Sequence, residues 1–222
     1  MFNVTQEWKS AFPDAHAGIL VMHAAANPAA NEDLENRKRE LEGQLRARFE
    51  GGDRKAIGAL TAIQAYNGYY RPFKKTYHVQ HQLESIVFKG RQIPTMAALV
   101  EAMFMAEVKN QLLTAGHDLD KLHLPITLNV SDGSERYTLL RGEEQVLKTG
   151  DMFMVDQQGV ISSILYGPDQ RTCITPVTGN VLFAVYAPGG IDQQAVEDHL
   201  KDIRDNVLIV SPEARLETLQ VF

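Results

Sequence analysis

The stretch that most limits what this chain can fold into is Arg91–Asp120, which reads RQIPTMAALVEAMFMAEVKNQLLTAGHDLD. From Met96 to Leu113 it is apolar on nearly every face, which predicts a helix buried all round rather than one lying on a surface. Such a helix needs structure on several sides, so it has to be central. The stretch closes on Gly116-His117-Asp118-Leu119-Asp120, where an imidazole and two carboxylates fall in what reads as the turn that stops the helix. That turn is the first place to look for chemistry.

On either side the period of the apolar residues differs. Upstream, Ala17–Met22 is a short strand candidate, broken by Asn27-Pro28. The chain then reads as helical: Leu34, Leu41, Leu45 and Phe49 share one face behind a capping Asn31, and Gly51-Gly52 ends that helix. A second helix follows Asp53 with Ile57, Leu60 and Ile63 inside, and Pro72 closes it. A third runs through Val79, Leu83, Ile86 and Val87 to Gly90. Downstream the period becomes two. Ile126–Val130 and Arg136–Leu140 read as a hairpin through Asp132-Gly133. Strands are predicted at Asp151–Asp156, Val160–Tyr166, Thr172–Thr175 and Val181–Tyr186, separated by recognisable turns. A last helix, Asp192–Asn206, precedes a strand at Val207–Val210 and a polar tail. Strands without alternating helices predict an α+β chain, with a helical N-terminal half at about 27–115 and a largely antiparallel β-rich half at about 116–210. The whole of 1–222 reads as one domain.

The single cysteine, Cys173, permits no disulfide within the chain and favours a cytoplasmic setting; it reads as an inert strand residue. Glu101, Glu107 and Lys109 interrupt the most hydrophobic run, so no membrane span is expected, and the first residues lack the pattern of a secretory leader. The formal charge is −6, yet Arg37–Arg91 holds twelve Lys or Arg against five Asp or Glu, which leaves the remainder at −13. A basic half can attract a polyanion, although charge runs are more often a solvated helix surface. Basic and aromatic residues interleave from Tyr66 to Tyr77, a combination that binds single-stranded nucleic acid and equally the packing of tyrosines at a helix end. Arg71, Lys74, Lys75, Lys89 and Arg91 are therefore the candidate RNA contacts. His117, Asp118, Asp120 and His123 carry metal-ligand chemistry, but the spacing matches no recognised site and Lys121 opposes a cation, so neither metal nor cofactor is expected. Gly-x-Ser-x-Gly is absent, and Ser162 and Ser163 read as strand residues facing partners or solvent.

Several words of the sequence, in order, resemble a family. Pro94–Val100, the Gly116-His-Asp-Leu-Asp120 turn, Pro125–Val130, Gly133-Ser-Glu135, Gly142-Glu-Glu144 and Thr175-Pro-Val-Thr-Gly-Asn-Val-Leu182 are similar to the B3/B4 domain of the phenylalanyl-tRNA synthetase β subunit, particularly its free-standing relatives. The resemblance spans about Ala17–Asn206. It implies a B3/B4-like fold and an editing module that binds aminoacyl-tRNA or tRNA and removes a wrongly attached amino acid. It does not imply a complete synthetase. His117, Asp118, Asp120, Glu135, Thr175 and Asn180 become the pocket or ligand-binding candidates. The family's editing residues do not all carry over: its His falls at Ala115, its helix Asn at Phe104, its helix Asp at Glu101, and its strand Glu at Ala184. Asp118 and Asp120 equally fit plain turn-capping roles. Two functions follow, hydrolysis of mischarged aminoacyl-tRNA in trans without the usual His and Glu, or a non-catalytic module for an amino acid, nucleotide or RNA.

Overall fold

The structure, a computed structural model, describes residues 2–222. In chain order the first elements are β1 (Phe2–Val4), α1 (Gln6–Ala11), β2 (His16–His23), α2 (Glu32–Arg48), α3 (Arg54–Gly58), α4 (Thr61–Tyr70), α5 (His78–Lys89) and α6 (Ala98–Asn110). Then come β3 (Leu113–Asp118), β4 (Ile126–Val130), β5 (Arg136–Thr138), β6 (Glu144–Val146), β7 (Met152–Asp156), β8 (Gly159–Ser163), β9 (Gly167–Pro168), β10 (Val181–Ala187), α7 (Gln193–Val210) and β11 (Arg215–Val221). The fold is α+β, as the change of period predicts.

Two sheets form the centre. The first is antiparallel throughout, in the order β11-β2-β10-β3. The second runs β1-β4-β7-β8-β9, antiparallel except that β1 joins β4 in parallel. Their inner faces meet: Phe2 and Ile126 of one lie by Ile19 and Leu182 of the other, and the Tyr186 hydroxyl reaches Ser162 Oγ at 2.7 Å. The outer face of the first sheet carries α7. Gly18 of β2 admits that helix closely, since a Cβ there would stand 2.7 Å from Val196 and 3.0 Å from Leu200. Helix α6 lies against α7, where the Asn206 amide donates to the Ala102 carbonyl at 3.0 Å. With eight of its residues buried, α6 is the enclosed helix its composition predicts.

Local chemistry sets the helix ends. Asn31 caps α2 by accepting from Leu34 N–H at 2.9 Å, Asp192 caps α7 through Ala195 N–H at 2.7 Å, and Gly90 ends α5 at φ +64°, where a left-handed residue is needed. The buried charge inside α6 is paired: Glu101 Oε2 meets Lys38 Nζ of α2 at 2.8 Å, with both side chains 2% exposed. Glu101 also accepts the Met96 N–H. The helix position where the family carries Asp is thus a structural ion pair.

Several expectations are corrected. Helix α6 stops at Asn110 through Gln111 in the left-handed region, and Gly116-His117-Asp118 lies within strand β3 rather than in a turn. Only Leu119–Lys121 is a short 3-10 turn. Ile126–Val130 does not pair with the strand after Asp132-Gly133: β4 takes β7, and β5 pairs with β6. Thr172–Thr175 is not a strand, although Cys173 makes one bridge to His117 and is half-buried rather than sealed in a core. Val207–Val210 continues α7, and the polar tail is strand β11 against β2. The strands Phe2–Val4 and His16–His23 also precede the helical half.

Candidate functional site

A partly enclosed cavity with a buried carboxylate on its wall lies where the edge strand β3, the turn after β8 and helix α6 converge. It holds about 330 Å³, near the lower end of small-molecule pockets. Met103, Leu113, Ala115, Ile164 and Leu165 make an apolar lining, and Glu107, Thr114, Ser163, Tyr166, Tyr186 and His78 add the polar groups.

The pairing of strands decides which side chains reach it. Residues alternate across a strand, so Leu113, Ala115 and His117 share the face turned to the second sheet, as do Tyr186, Ala184 and Leu182 opposite them. Ala115 lines the cavity and Ala184 is its ladder partner. The two positions where the family resemblance places a His and a Glu are therefore adjacent, and both carry a methyl group. Phe104 lines a second, 440 Å³ groove with His81 and Arg91. His78 borders both spaces.

The polar centre of the cavity is Glu107 on α6. Its Oε1 accepts the Thr114 N–H at 2.8 Å, which ties the helix to the first residues of β3. Burial pushes its carboxyl up to about 8, only partly opposed by that N–H. Composition marks Glu107 only as an acid inside a helix that is apolar on every face; that misfit is the available signal.

Behind the wall stands the tyrosine cluster, and it is not an RNA-stacking surface. Tyr66, Tyr70 and Tyr77 are buried, with the Tyr66 and Tyr77 rings stacked at 4.1 Å. Each hydroxyl fastens backbone beside the cavity. Tyr66 donates to the Tyr186 carbonyl and accepts from Leu113 N–H at 2.8 Å. Tyr70 donates to the Ile164 carbonyl at 2.5 Å and Tyr77 to the Gln111 carbonyl at 3.0 Å. Tyr69 serves the neighbouring strand, donating to Asp151 Oδ1 at 2.9 Å and accepting from Met152 N–H at 2.7 Å. Burial pushes Asp151 up to about 7.

The candidate pocket residues lie nearby but on other tasks. His117 is fully buried between the sheets, with Nδ1 2.8 Å from Thr172 Oγ1 and Nε2 3.3 Å from Ser162 Oγ. Thr172 in turn bonds Asp169. The Ser162–His117–Thr172–Asp169 chain has the outline of a nucleophile relay. However, Ser162 and His117 are both 0% exposed, and desolvation, aided by Arg171, pushes the imidazole down to about 3. With no opening to a substrate it acts as a buried seam between the sheets. Asp118 accepts from Thr178 Oγ1 at 2.8 Å and from Asp120 N–H at 3.1 Å. Asn180 donates to Asp120 at 3.0 Å and accepts from Ala24 N–H at 3.3 Å. Thr175 N–H donates to Thr178 Oγ1 at 2.9 Å. Asp118, Asp120, Thr175 and Asn180 thus form one bonded corner at the end of β3. Glu135 stands apart, holding Ser131 Oγ at 2.5 Å. The His117, Asp118 and Asp120 side chains diverge to separate partners.

Among the RNA-contact candidates, Arg71, Lys74, Lys89 and Arg91 are exposed. Lys75 places its ammonium 4.1 Å over the Tyr166 ring at the cavity's edge. Arg91 lines the second groove. Arg71, Lys74 and Lys75 precede α5 while Lys89 and Arg91 lie at its far end, and His78 at the start of α5 lines both spaces. Among the described residues no helix is long and apolar enough to cross a membrane.

Comparison with known proteins agrees with this architecture. No family model matches the chain. The phenylalanine–tRNA ligase beta subunit of Mycoplasma pneumoniae is 32% identical over 69 residues, 31% of this chain and 9% of that protein. The crystal structure of an N-terminal fragment of the phenylalanyl-tRNA synthetase beta-subunit from Pyrococcus horikoshii superposes with a TM-score of 0.51 at 13% identity, covering 97% of this chain and 50% of that one. The chain spans half of that fragment and a small part of the curated relative. It shares the fold of part of that fragment, which is consistent with the B3/B4-like fold that the sequence resemblance implies.

Proposed function

We propose that this domain receives the aminoacyl end of a tRNA and hydrolyses a mischarged ester in trans, with the amino acid seated in the cavity between β3, the turn after β8 and α6. The observation that carries the reading is the placement of that cavity: Ala115 lines it and Ala184 is the ladder partner of Ala115, the two positions where the resemblance puts the editing His and Glu. Water adds to the ester carbonyl, the bond to the terminal ribose oxygen breaks, and that oxygen takes a proton; the products are a free amino acid and a free tRNA end. Ala115 and Ala184 supply neither base nor donor, so backbone N–H groups and the vicinal ribose hydroxyl position the water. Arg71, Lys74, Lys75, Lys89 and Arg91 attract the phosphates, and Asp118, Asp120, Thr175 and Asn180 keep the end of β3 in register. The test is incubation of the purified chain with a panel of mischarged tRNAs. Ester loss above the buffer rate on at least one is expected, and none on any tRNA overturns the reading.

A second reading, a non-catalytic binding module, is favoured by the same alanine pair. A thermal-shift series separates the two, because a ligand that binds only the folded chain raises its melting temperature whether or not it is turned over.

A further inference from the structure

Buried carboxylates in this chain generally have a cation. Glu101 has Lys38 at 2.8 Å, Glu42 has Arg46 at 3.1 Å, Glu84 has Arg54 at 3.6 Å and Asp156 has Arg171 at 2.8 Å. The pairing answers the cost of desolvating a lone charge. Glu107 is different. It is 4% exposed, its one protein hydrogen bond comes from Thr114 N–H, and among the described residues no Lys, Arg or His forms an ion pair with it. Asp151 also lacks a cation, but its free oxygen is occluded, so nothing can be delivered to it. Among the described residues nothing hydrogen-bonds to Glu107 Oε2, and the residue lines the 330 Å³ cavity.

The surroundings define what would complete it. Tyr186 is committed to Ser162, and the Thr114 hydroxyl to His199 at 2.7 Å. Tyr66, Tyr70 and Tyr77 behind the wall are neutral and bonded to carbonyls. His78 at the rim is exposed, and partial desolvation of its ring beside His81 lowers its pKa towards the uncharged form. What remains is a largely apolar chamber of amino-acid scale in which Glu107 is the one carboxylate on the wall, without a cation. We propose that Glu107 is the anchor for a primary ammonium group, so that the cavity takes small compounds with a free amine and apolar body and rejects their N-acylated forms. A compact ammonium offers donors to Oε2 and supplies the charge that the other buried acids find within the protein. Only the identity of the carrier, the aminoacyl end of a tRNA, rests on the function proposed above.

The test uses the full chain and the primary amides of apolar amino acids, which keep the α-ammonium and lack a carboxylate, beside their N-acetyl derivatives. Calorimetric titration at pH 6.5 in two buffers of different ionisation enthalpy should show the amides binding at least about tenfold more tightly than the N-acetyl forms. It should also show release of nearly one proton, because Glu107 begins protonated and ends as a carboxylate. Glu107→Gln keeps an acceptor for Thr114 N–H and should lose both the preference and the proton. Equal binding of the two forms, no binding of any amide, or proton release that persists in the variant overturns the proposal. If the variant does not fold, the wild-type comparison alone decides. Amide binding without ester hydrolysis would sink the deacylase reading and leave this anchor standing; equal hydrolysis of aminoacyl-tRNA and N-acetyl-aminoacyl-tRNA would do the reverse.

Discussion

Ala115 on β3 stands directly opposite Ala184 on β10, on the face of the sheet that bounds the cavity. Directly opposed residues have Cβ atoms about 4.5–5.5 Å apart, so larger side chains here would enter the same space. Ala115→Leu should therefore weaken amide binding by at least about tenfold. The added atoms grow into a cavity rather than a packed core, so the melting temperature should move little. Calorimetry beside a thermal melt checks both, and unchanged affinity would mean that the ligand sits elsewhere.

Tyr66 holds two strands with one hydroxyl, accepting from Leu113 and donating to the Tyr186 carbonyl. Tyr66→Phe leaves two buried backbone groups without a partner, at about 1–3 kcal/mol each. A drop in the melting temperature of several degrees is expected, with weaker ligand binding alongside. A melting temperature within about one degree of wild type, equivalent to a few tenths of a kcal/mol, would remove the fastening role.

Stability should fall on both sides of a middle pH. Burial pushes His117 down to about 3 and His199 to about 4 from an ordinary 6.5. Below 6.5 the unfolded chain binds protons that the folded chain refuses, so stability is complete above that pH and is lost as pH falls towards the folded values. Well inside the window each histidine contributes about 1.4 kcal/mol per pH unit. Glu107 acts in the opposite direction, since its folded value of about 8 lies above the ordinary 4.5. Its contribution is complete below 4.5 and is lost as pH rises through 8. Denaturant unfolding across pH 5–8 should thus show a shallower alkaline loss in Glu107→Gln than in wild type, and parallel curves would contradict the burial argument.

Two glycines should respond with opposite signs. Gly18→Ala places a methyl against Val196 and Leu200 of α7 and should cost about 1–3 kcal/mol by overpacking. Gly43, on the exposed side of α2, has nothing within 4 Å, and Gly43→Ala should stabilise by up to about 1 kcal/mol through helix propensity. Chemical denaturation of the two variants side by side gives the comparison.

Charge reversal at Lys75 and Arg91 should weaken tRNA binding and flatten its salt dependence, by roughly 0.7–0.9 in the log–log slope for each phosphate left without its cation. A filter-binding series over salt measures this. An unchanged slope would place the RNA on another face.

Sequence pattern locates two kinds of element, helices with one wet face and strands that are continuous apolar runs. Helix α2 and helix α5 show a stripe and a cap, and β7 and β10 are apolar runs between turns. Strand β3 is unreadable because its six buried residues, Leu-Thr-Ala-Gly-His-Asp, mix polar and small types and so form neither an alternation nor an apolar run. Gly116 in it serves close approach, not a turn: a Cβ would stand 2.6 Å from Ile174. Strand β11 escapes detection for the opposite reason, as an edge strand with polar, exposed residues. Val207–Val210 has strand-like composition, yet α7 carries it as helix, where Val207 packs into the core. The tyrosines from Tyr66 to Tyr77 cannot be placed from spacing, since an aromatic run suits a wet stacking platform and a dry seam equally. The corner at Asp118 and Asp120 is marked by its charge, whereas Glu107 is hidden by apolar neighbours.

The tyrosine fastenings carry a last consequence. Their bonds join neutral hydroxyls to backbone carbonyls, and burial holds the Tyr66, Tyr70 and Tyr77 phenols far above their ordinary pKa. Added salt has no ion pair to loosen there, so the seat keeps its shape under conditions that screen the lysines and arginines outside it. On the proposed function, recognition divides into a salt-sensitive approach and a salt-indifferent fit, and ionic strength becomes a dial that turns one without touching the other.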